Sequence, residues 1–393
     1  MTLFQDPDAV PRTAAARLAD VLDAFAAAGD LAARNAPGTS RRKAVAAASL
    51  ARVAGRGESE AARLYFAALL HAIGALGNVG LMRGAQLHDR VAKMARWDVP
   101  AEGARLCERI AALPKPVADL VRWQHESWDG TGYPDQLRWN AIPSGAQLLR
   151  LADIFATAGD PEETLQTAAD AGGRALGPEI AGLYMRWFHF TGGEPEPMDA
   201  PAGALDAGAG DAATIVDLLA DRIDAHNGTP GRHLRIGRVA EGVATRLGLG
   251  AADASTLALA ARIFGAGELA RDRAEDDQFD PLARLGIAER AQNAAAAADA
   301  FGDNPTFRGA AAVVRSRAAW YDGTGIPDAA HDAIPIGSRI LGAAIAHDAL
   351  DAVHRAQIRE DRTPPADRLD TAAGTQFDPD VTRAVLEATR THA

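Results

Sequence analysis

Apolar residues recur along this chain at steps of three and four, with alanine filling much of the space between them. Leu18, Val21, Leu22 and Phe25 form one such stripe, which predicts a helix over 12–28 with Gly29 as its stop. The same period predicts helices over 40–53, 58–73, 87–95, 102–112 and 117–127, the last started by Pro114 and Pro116. A turn-rich stretch follows, then helices over 144–157, 161–171 and 178–190. Gly, Pro, Ala and acidic residues dominate 191–210, which reads as a linker between domains. Beyond it the periodicity predicts helices over 212–226, 232–247, 251–264, 281–301, 305–320 and 336–355. No alternating strand pattern of any length occurs, so the fold class is all-α, with two helical bundles in tandem.

The order of elements repeats, and so does the text. Asp129-Gly130-Thr131-Gly132-Tyr133-Pro134 returns as Asp322-Gly323-Thr324-Gly325-Ile326-Pro327, 193 residues later. The stretch from Leu69 to Ala75 lies at the same offset from Arg262 to Glu268, so one register serves two separate anchors. The chain therefore reads as a duplication: a first domain over 1–190, a linker over 191–210 and a second domain over 211–393. The glycines and proline of the repeated hexapeptide exclude regular structure and make it a loop between helices.

Composition narrows the partners. A net charge of −11 gives no general attraction to nucleic acid or to anionic membranes. No uncharged apolar run approaches the length of a membrane span, and Asp6 and Asp8 precede any apolar run, unlike a secretory signal. Cys107 is the only cysteine, which excludes an intrachain disulfide and fits a cytoplasmic location. Arg41, Arg42 and Lys43 are adjacent cations, read as a solvated helix face or a rim that meets phosphate.

Gln124-His125-Glu126-Ser127-Trp128 leading into the hexapeptide, then Ile142-Pro143, then Ala152-Asp153-Ile154-Phe155, resembles the HD-GYP branch of the HD phosphohydrolases. The resemblance implies a helical bundle that holds two or three iron or manganese ions and hydrolyses cyclic di-GMP. Such chemistry needs convergent His and carboxylate ligands, one carboxylate bridging neighbouring metals. Carried onto this chain, the opening His falls on Thr39, the His-Asp pair on His71-Ala72 and the following lysine on Ala75. A middle His falls near Trp97 or Asp98, the His-His pair on Gln124-His125 and the last Asp on Asp153. His71, His125 and Asp153 are what remains of the ligand set. In the second copy the same positions read Arg232, Phe264-Gly265, Glu268, Arg317-Ala318 and Ile345, from which no such metal centre can be built.

Both copies thus read as folds that outlasted their metal centres. The resulting expectation is a catalytically impaired signalling protein without a cofactor, acting as a regulatory or scaffolding module through protein partners or a second copy of itself. Two alternatives stay open. One is residual metal-dependent cyclic di-GMP hydrolysis in the first domain, with a single Fe, Mn or Zn ion on His71, His125 and Asp153. The other is a metal-free cyclic di-GMP receptor. The ligand-binding loop expected in either case is Asp129, Gly130, Gly132, Tyr133 and Pro134, with Trp123, Trp128 and Trp139 as neighbouring rings that either stack on a base or pack as core.

Overall fold

A computed structural model of the protein describes residues 18–77, 89–158, 160–206, 212–270, 286–326, 329–355 and 363–390. The chain divides into two compact units that meet in sequence at Ile215 and Val216. The first holds α1 (Leu18–Ala33), α2 (Thr39–Val53), α3 (Glu58–Leu69), α4 (Asp89–Glu108), α5 (Pro116–Trp123), α6 (Ser144–Thr157), α7 (Pro161–Ala171) and α8 (Pro178–Thr191). The second is opened by α9 (Ala212–His226) and continues through α10 (Arg232–Arg246), α11 (Ala251–Ile263), α12 (Ile287–Phe301), α13 (Arg308–Arg315), α14 (Ile336–Arg355), α15 (Pro365–Thr371) and α16 (Pro379–Arg390). The described residues are all-α, with no strand among them.

Each helix of one unit has a counterpart in the other, and the smaller features repeat with them. Short 3-10 turns stand at Ile73–Gly77 and Phe264–Glu268, and again at Trp139–Ala141 and His331–Ala333. An isolated bridge joins Gly172 to Leu176, and another joins Ala373 to Phe377. In both cores alanine supplies much of the buried surface, between larger groups such as Phe25, Phe66 and Tyr65 in one unit and Phe264, Phe301 and Phe307 in the other. Small residues let the helix axes come close.

Several boundaries differ from the periodicity reading, each for a packing reason. Gly29 does not stop α1, which runs on to Ala33. A Cβ on Gly29 would meet the Ala72 carbonyl carbon at 3.1 Å and the Ile73 nitrogen at 3.2 Å, so the glycine serves a close approach inside the helix. The helices expected over 87–95 and 102–112 are one helix, α4, which carries Pro100 within it. Its Gly103 lies against Val121 of α5 and against Gly74, so packing holds the helix together across the proline. The start of the helix expected over 12–28, part of that expected over 87–95 and residues 281–285 lie outside the described residues, as does Pro327 of the second hexapeptide. The helix expected over 305–320 shortens to α13, because Asn304 turns the chain by accepting the Thr306 amide at 3.1 Å.

Residues 192–206 run back over the first unit. The Asp206 amide donates to the Ala112 carbonyl at 3.0 Å, and Leu205 is buried. No described helix is long and apolar enough to cross a membrane.

Gly74 and Gly267 occupy the same place in the two units, and a Cβ on either would fall on a backbone carbonyl, of Val99 or of Asn293. Gly74→Ala is therefore expected to cost the first unit about 1–3 kcal/mol through overpacking. Tryptophan fluorescence in a urea titration reads that unit, since five of the six tryptophans, Trp97, Trp123, Trp128, Trp139 and Trp187, lie in it. An unchanged midpoint would contradict the close approach.

Candidate functional site

The centre of the first unit is polar. Its outer layer is set where α1 turns into α2: the buried Asp30 carboxylate accepts the Ser40 amide at 3.0 Å, the Ser40 hydroxyl at 2.7 Å and the Asn35 amide at 3.1 Å. This carboxylate satisfies a free N–H in the first turn of α2 and fixes that helix against α1. The Ser40 hydroxyl also lies 3.3 Å from Nδ1 of His71, which stands 2.9 Å from the Ala68 carbonyl. A carbonyl only accepts, so Nδ1 carries the imidazole proton and Nε2 keeps its lone pair.

Lys43, one helical turn beyond Thr39 on α2, points inward and is 0% exposed. Its Nζ donates to Gln124 Oε1 and to Asp153 Oδ1, both at 3.0 Å. The expectation that Lys43 shares the solvated face of Arg41 and Arg42 is therefore corrected. Those two side chains are exposed, while Lys43 lies on the other side of the helix, where a cation is kept only by paired acceptors. Gln124 Nε2 donates to the carbonyls of His71 and Val121, both at 3.1 Å, which turns its Oε1 towards Lys43. Ala72, at the position of the bridging carboxylate, is 4% exposed and presents a methyl group.

Charge follows this geometry. Burial pushes His71 down to about 3, with the Lys43 charge acting in the same direction. Burial also pushes His125 down to about 4. Burial lowers Lys43 as well, opposed by Asp153. For Asp153 burial works upward, but the Lys43 charge, together with His125, His71 and the hydrogen bond from Lys43, holds the carboxyl well below its ordinary value. The Asp153 side chain is 32% exposed, so one side of the pair reaches solvent.

His125 faces the hexapeptide loop. Its ring stacks on Tyr133 with centroids 5.1 Å apart, and Tyr133 stacks in turn on Trp97 at 6.1 Å. The Tyr133 amide donates to the His125 carbonyl at 3.2 Å. Just beyond Pro134, the Glu126 carboxylate accepts the amides of Asp135 at 2.7 Å and Leu137 at 2.9 Å. Asp135 holds the Arg122 guanidinium with two bonds of 2.8 Å and takes the Trp123 indole N–H at 2.8 Å. Trp123 is thus tied to the loop, whereas Trp139 is 60% exposed.

The loop itself has one construction in both units. Asp129 Oδ1 accepts the Thr131 amide and hydroxyl at 2.9 and 2.7 Å, and Asp322 does the same for Thr324 at the same distances. Gly130 and Gly323 take φ near +79° and +78°. A Cβ on Gly132 would fall on the backbone of Glu126 and Ser127, and one on Gly325 on that of Trp320. The Asp129 amide donates to Arg174 and the Asp322 amide to Thr375, both at 2.9 Å, which ties each loop to the turn before α8 or α16. Asp129, Gly130 and Gly132 therefore shape the loop, and Tyr133 carries its contact with His125.

In the second unit the corresponding centre is built from cations on a ring. Arg232 and Arg317 place their guanidinium carbons 5.1 and 5.8 Å from the centroid of Phe264. Arg232 lies 3.7 Å from Glu268 and 3.6 Å from Asp348, and Arg235 donates to Asp348 at 2.6 Å. Burial lowers Arg317 to about 10, with Glu268 opposing. The α9 to α10 turn repeats the first unit's device, as the Asp224 carboxylate accepts the His233 amide at 2.9 Å and its Nδ1–H at 2.8 Å. His233, one place beyond Arg232, is spent on this turn. The sequence signal for that device was available: an acid near the end of one helix and a polar residue at the second position of the next, in both copies.

These centres do not fit the two-metal chemistry implied by the resemblance. Among the described residues no three His, Cys, Asp or Glu side chains form a group that could hold a metal. Of the three ligands named from sequence, Asp153 is paired with Lys43 and His125 is stacked under Tyr133; His71 donates Nδ1–H to backbone and keeps its Nε2 lone pair, but Ala72 beside it offers no donor atom. An open groove of 610 Å³ lies beside α2, lined by Gly38, Arg41, Arg42, Phe155, Pro197 and Met198 among others. The periodicity reading missed this feature, because its far wall comes from the segment read as linker.

Comparison with known proteins agrees with the helical fold. Residues 27–172 match the HD domain family. A cyclic di-GMP phosphodiesterase of Vibrio cholerae serotype O1 is 32% identical over 99 residues, which are 23% of this chain and 20% of that protein. A 3'3'-cGAMP-specific phosphodiesterase 2 of the same organism is 27% identical over 153 residues, 36% of this chain and 29% of that protein. The chain thus aligns with less than a third of the length of these relatives. The crystal structure of a cyclic GMP-AMP-specific phosphodiesterase of V. cholerae, V-cGAP3, superposes with a TM-score of 0.68 at 18% identity, covering 95% of this chain and 97% of that one. At that identity the likeness speaks for the fold. The first unit is an HD-domain helical bundle. These matches support the resemblance to HD-GYP-like proteins over that part of the chain.

The two depressed histidines make the first unit acid-sensitive. Their folded values of about 3 and 4 lie below the ordinary 6.5, so the unfolded chain binds more protons between these limits and stability falls as pH drops from 6.5 towards 4. The urea midpoint of the tryptophan signal should be lower at pH 5 than at pH 7.5, and His71→Asn together with His125→Phe should flatten the difference. Equal midpoints in the wild type would contradict neutral, buried imidazoles.

Proposed function

We propose that the protein is a catalytically impaired HD-GYP-like signalling protein, a pseudoenzyme that acts as a regulatory or scaffolding module in the cytoplasm. Its two domains are taken as 1–190 and 211–393, joined by 191–210. The observation that carries this reading is the Lys43 ammonium between Asp153 and Gln124, with the Ala72 methyl where a bridging carboxylate would stand. Without convergent ligands there is no pair of cations to clamp a phosphodiester or to lower the pKa of an attacking water. Protein partners, including a second copy of the chain, then carry the output.

A second reading has its own support. The relatives act on cyclic dinucleotides by their printed names, and the groove beside α2 presents two exposed guanidinium groups and the Phe155 ring. Arginine and an aromatic ring suit phosphate and base respectively. A metal-free cyclic di-GMP receptor would use such a surface without turnover.

Hydrolysis and binding assays separate these readings. Incubated with manganese or ferrous iron, the protein is expected to convert neither cyclic di-GMP nor 3'3'-cGAMP faster than buffer alone. Metal-dependent turnover would instead support residual phosphodiesterase activity on His71, His125 and Asp153 and would sink the pseudoenzyme reading. Calorimetry with cyclic di-GMP then decides between receptor and scaffold: heat that disappears in Arg41→Ala/Arg42→Ala favours the receptor, and no heat favours the scaffold.

A further inference from the structure

Position 43 can be judged against its own duplicate. Counting 193 residues on from Lys43 reaches Ile236, which is also 0% exposed. The bundle therefore needs only an apolar side chain at this point of the helix, and a lysine stem meets that need with its methylenes. The ammonium is additional. It lies at the meeting point of α2, the end of α5 and α6, bonded to Gln124 and Asp153 and close enough to His71 and His125 for its charge to act on both. These are the positions from which the family's metal ligands would come.

We propose that Lys43 is an internal cation standing in for a metal ion, so that the first unit is metal-free by construction and its ligand remnants are held by the protein's own charge. The chemistry supports this directly. A carboxylate and an amide oxygen converge on Nζ, both accept, and a fixed positive charge satisfies both without coordination. A metal ion entering the site would meet an ammonium rather than a free carboxylate. The second unit reaches the same end by another route, with Arg232 and Arg317 on Phe264 and acidic partners at Glu268 and Asp348.

The inference concerns the same site as the proposed function, but its test reads metal rather than turnover, so the two can fail separately. Full-length protein is incubated with Mn²⁺, desalted and assayed for metal. The wild type is expected to retain less than about a tenth of an equivalent, and Lys43→Ile/Ala72→Asp/Gln124→His about one equivalent. Wild-type protein that keeps a stoichiometric ion, or whose Tm rises with Mn²⁺ and falls with chelator, overturns the proposal even if no nucleotide is hydrolysed. Should the triple variant not fold, the wild-type result still decides, together with a coupling test. Asp153→Asn should lower the Tm in the wild type and have little effect in a Lys43→Met background; equal losses in both would show that no charge pair exists there. Hydrolysis by protein that holds no metal would sink the pseudoenzyme reading and leave the assignment of Lys43 intact.

Discussion

A buried ammonium is tolerable only where acceptors surround it, and the first unit is assembled around one. Lys43 comes from α2, Gln124 from the end of α5 and Asp153 from α6, so a single cation joins three helices at the centre of the bundle. Removing one partner of such a pair typically costs about 3–5 kcal/mol where both groups are buried. The figure here should lie below that range, since Asp153 is 32% exposed and partly screened. The neighbouring contacts serve the same geometry. Asp30 sets α2 in rotation through Ser40, and the Gln124 amide is aimed by the carbonyls of His71 and Val121.

The second unit shows what the fold requires once that centre is changed again. Ile236 replaces the lysine, Phe264 and Arg317 replace His71 and Gln124, and the same order of helices survives. Its cations rest on an aromatic face and are balanced by Glu268 and Asp348, an arrangement that tolerates desolvation better for guanidinium than for ammonium. The repeated loop is indifferent to these exchanges. Its Asp-Thr turn and its positive-φ glycine are alike in both units, while its fifth position is Tyr133, stacked on His125, in the first and Ile326 in the second. The hexapeptide is therefore a structural element of the bundle first, and its contact with the site depends on Tyr133.

Most of the helices and the all-α class were legible in the residues, because periodicity is a property of the chain itself, and the HD resemblance was legible over the stretch that matches that family. The orientation of Lys43 was not. Arg41, Arg42 and Lys43 are consecutive, and three adjacent cations read as one solvated patch, although consecutive residues on a helix point about 100° apart. A usable signal was present: Lys43 lies four residues after Thr39, the position to which the resemblance assigns a ligand, and residues so spaced share a helix face. Gly29 and Pro100 misled for a related reason. Each is a breaker by propensity, yet α1 runs through Gly29, which lies against the backbone of Ala72 and Ile73, and α4 runs through Pro100. The groove beside α2 could not be read at all, since it depends on residues 194–199 folding back on the first unit.

The account stands or falls on what occupies the space between Asp153 and Gln124. A crystal of the full chain soaked in Mn²⁺, with diffraction data collected at the manganese absorption edge, examines that space directly. The account predicts no anomalous peak there and continuous side-chain density from Lys43 to both acceptors. An anomalous peak bonded to Asp153, with the lysine displaced, would contradict it.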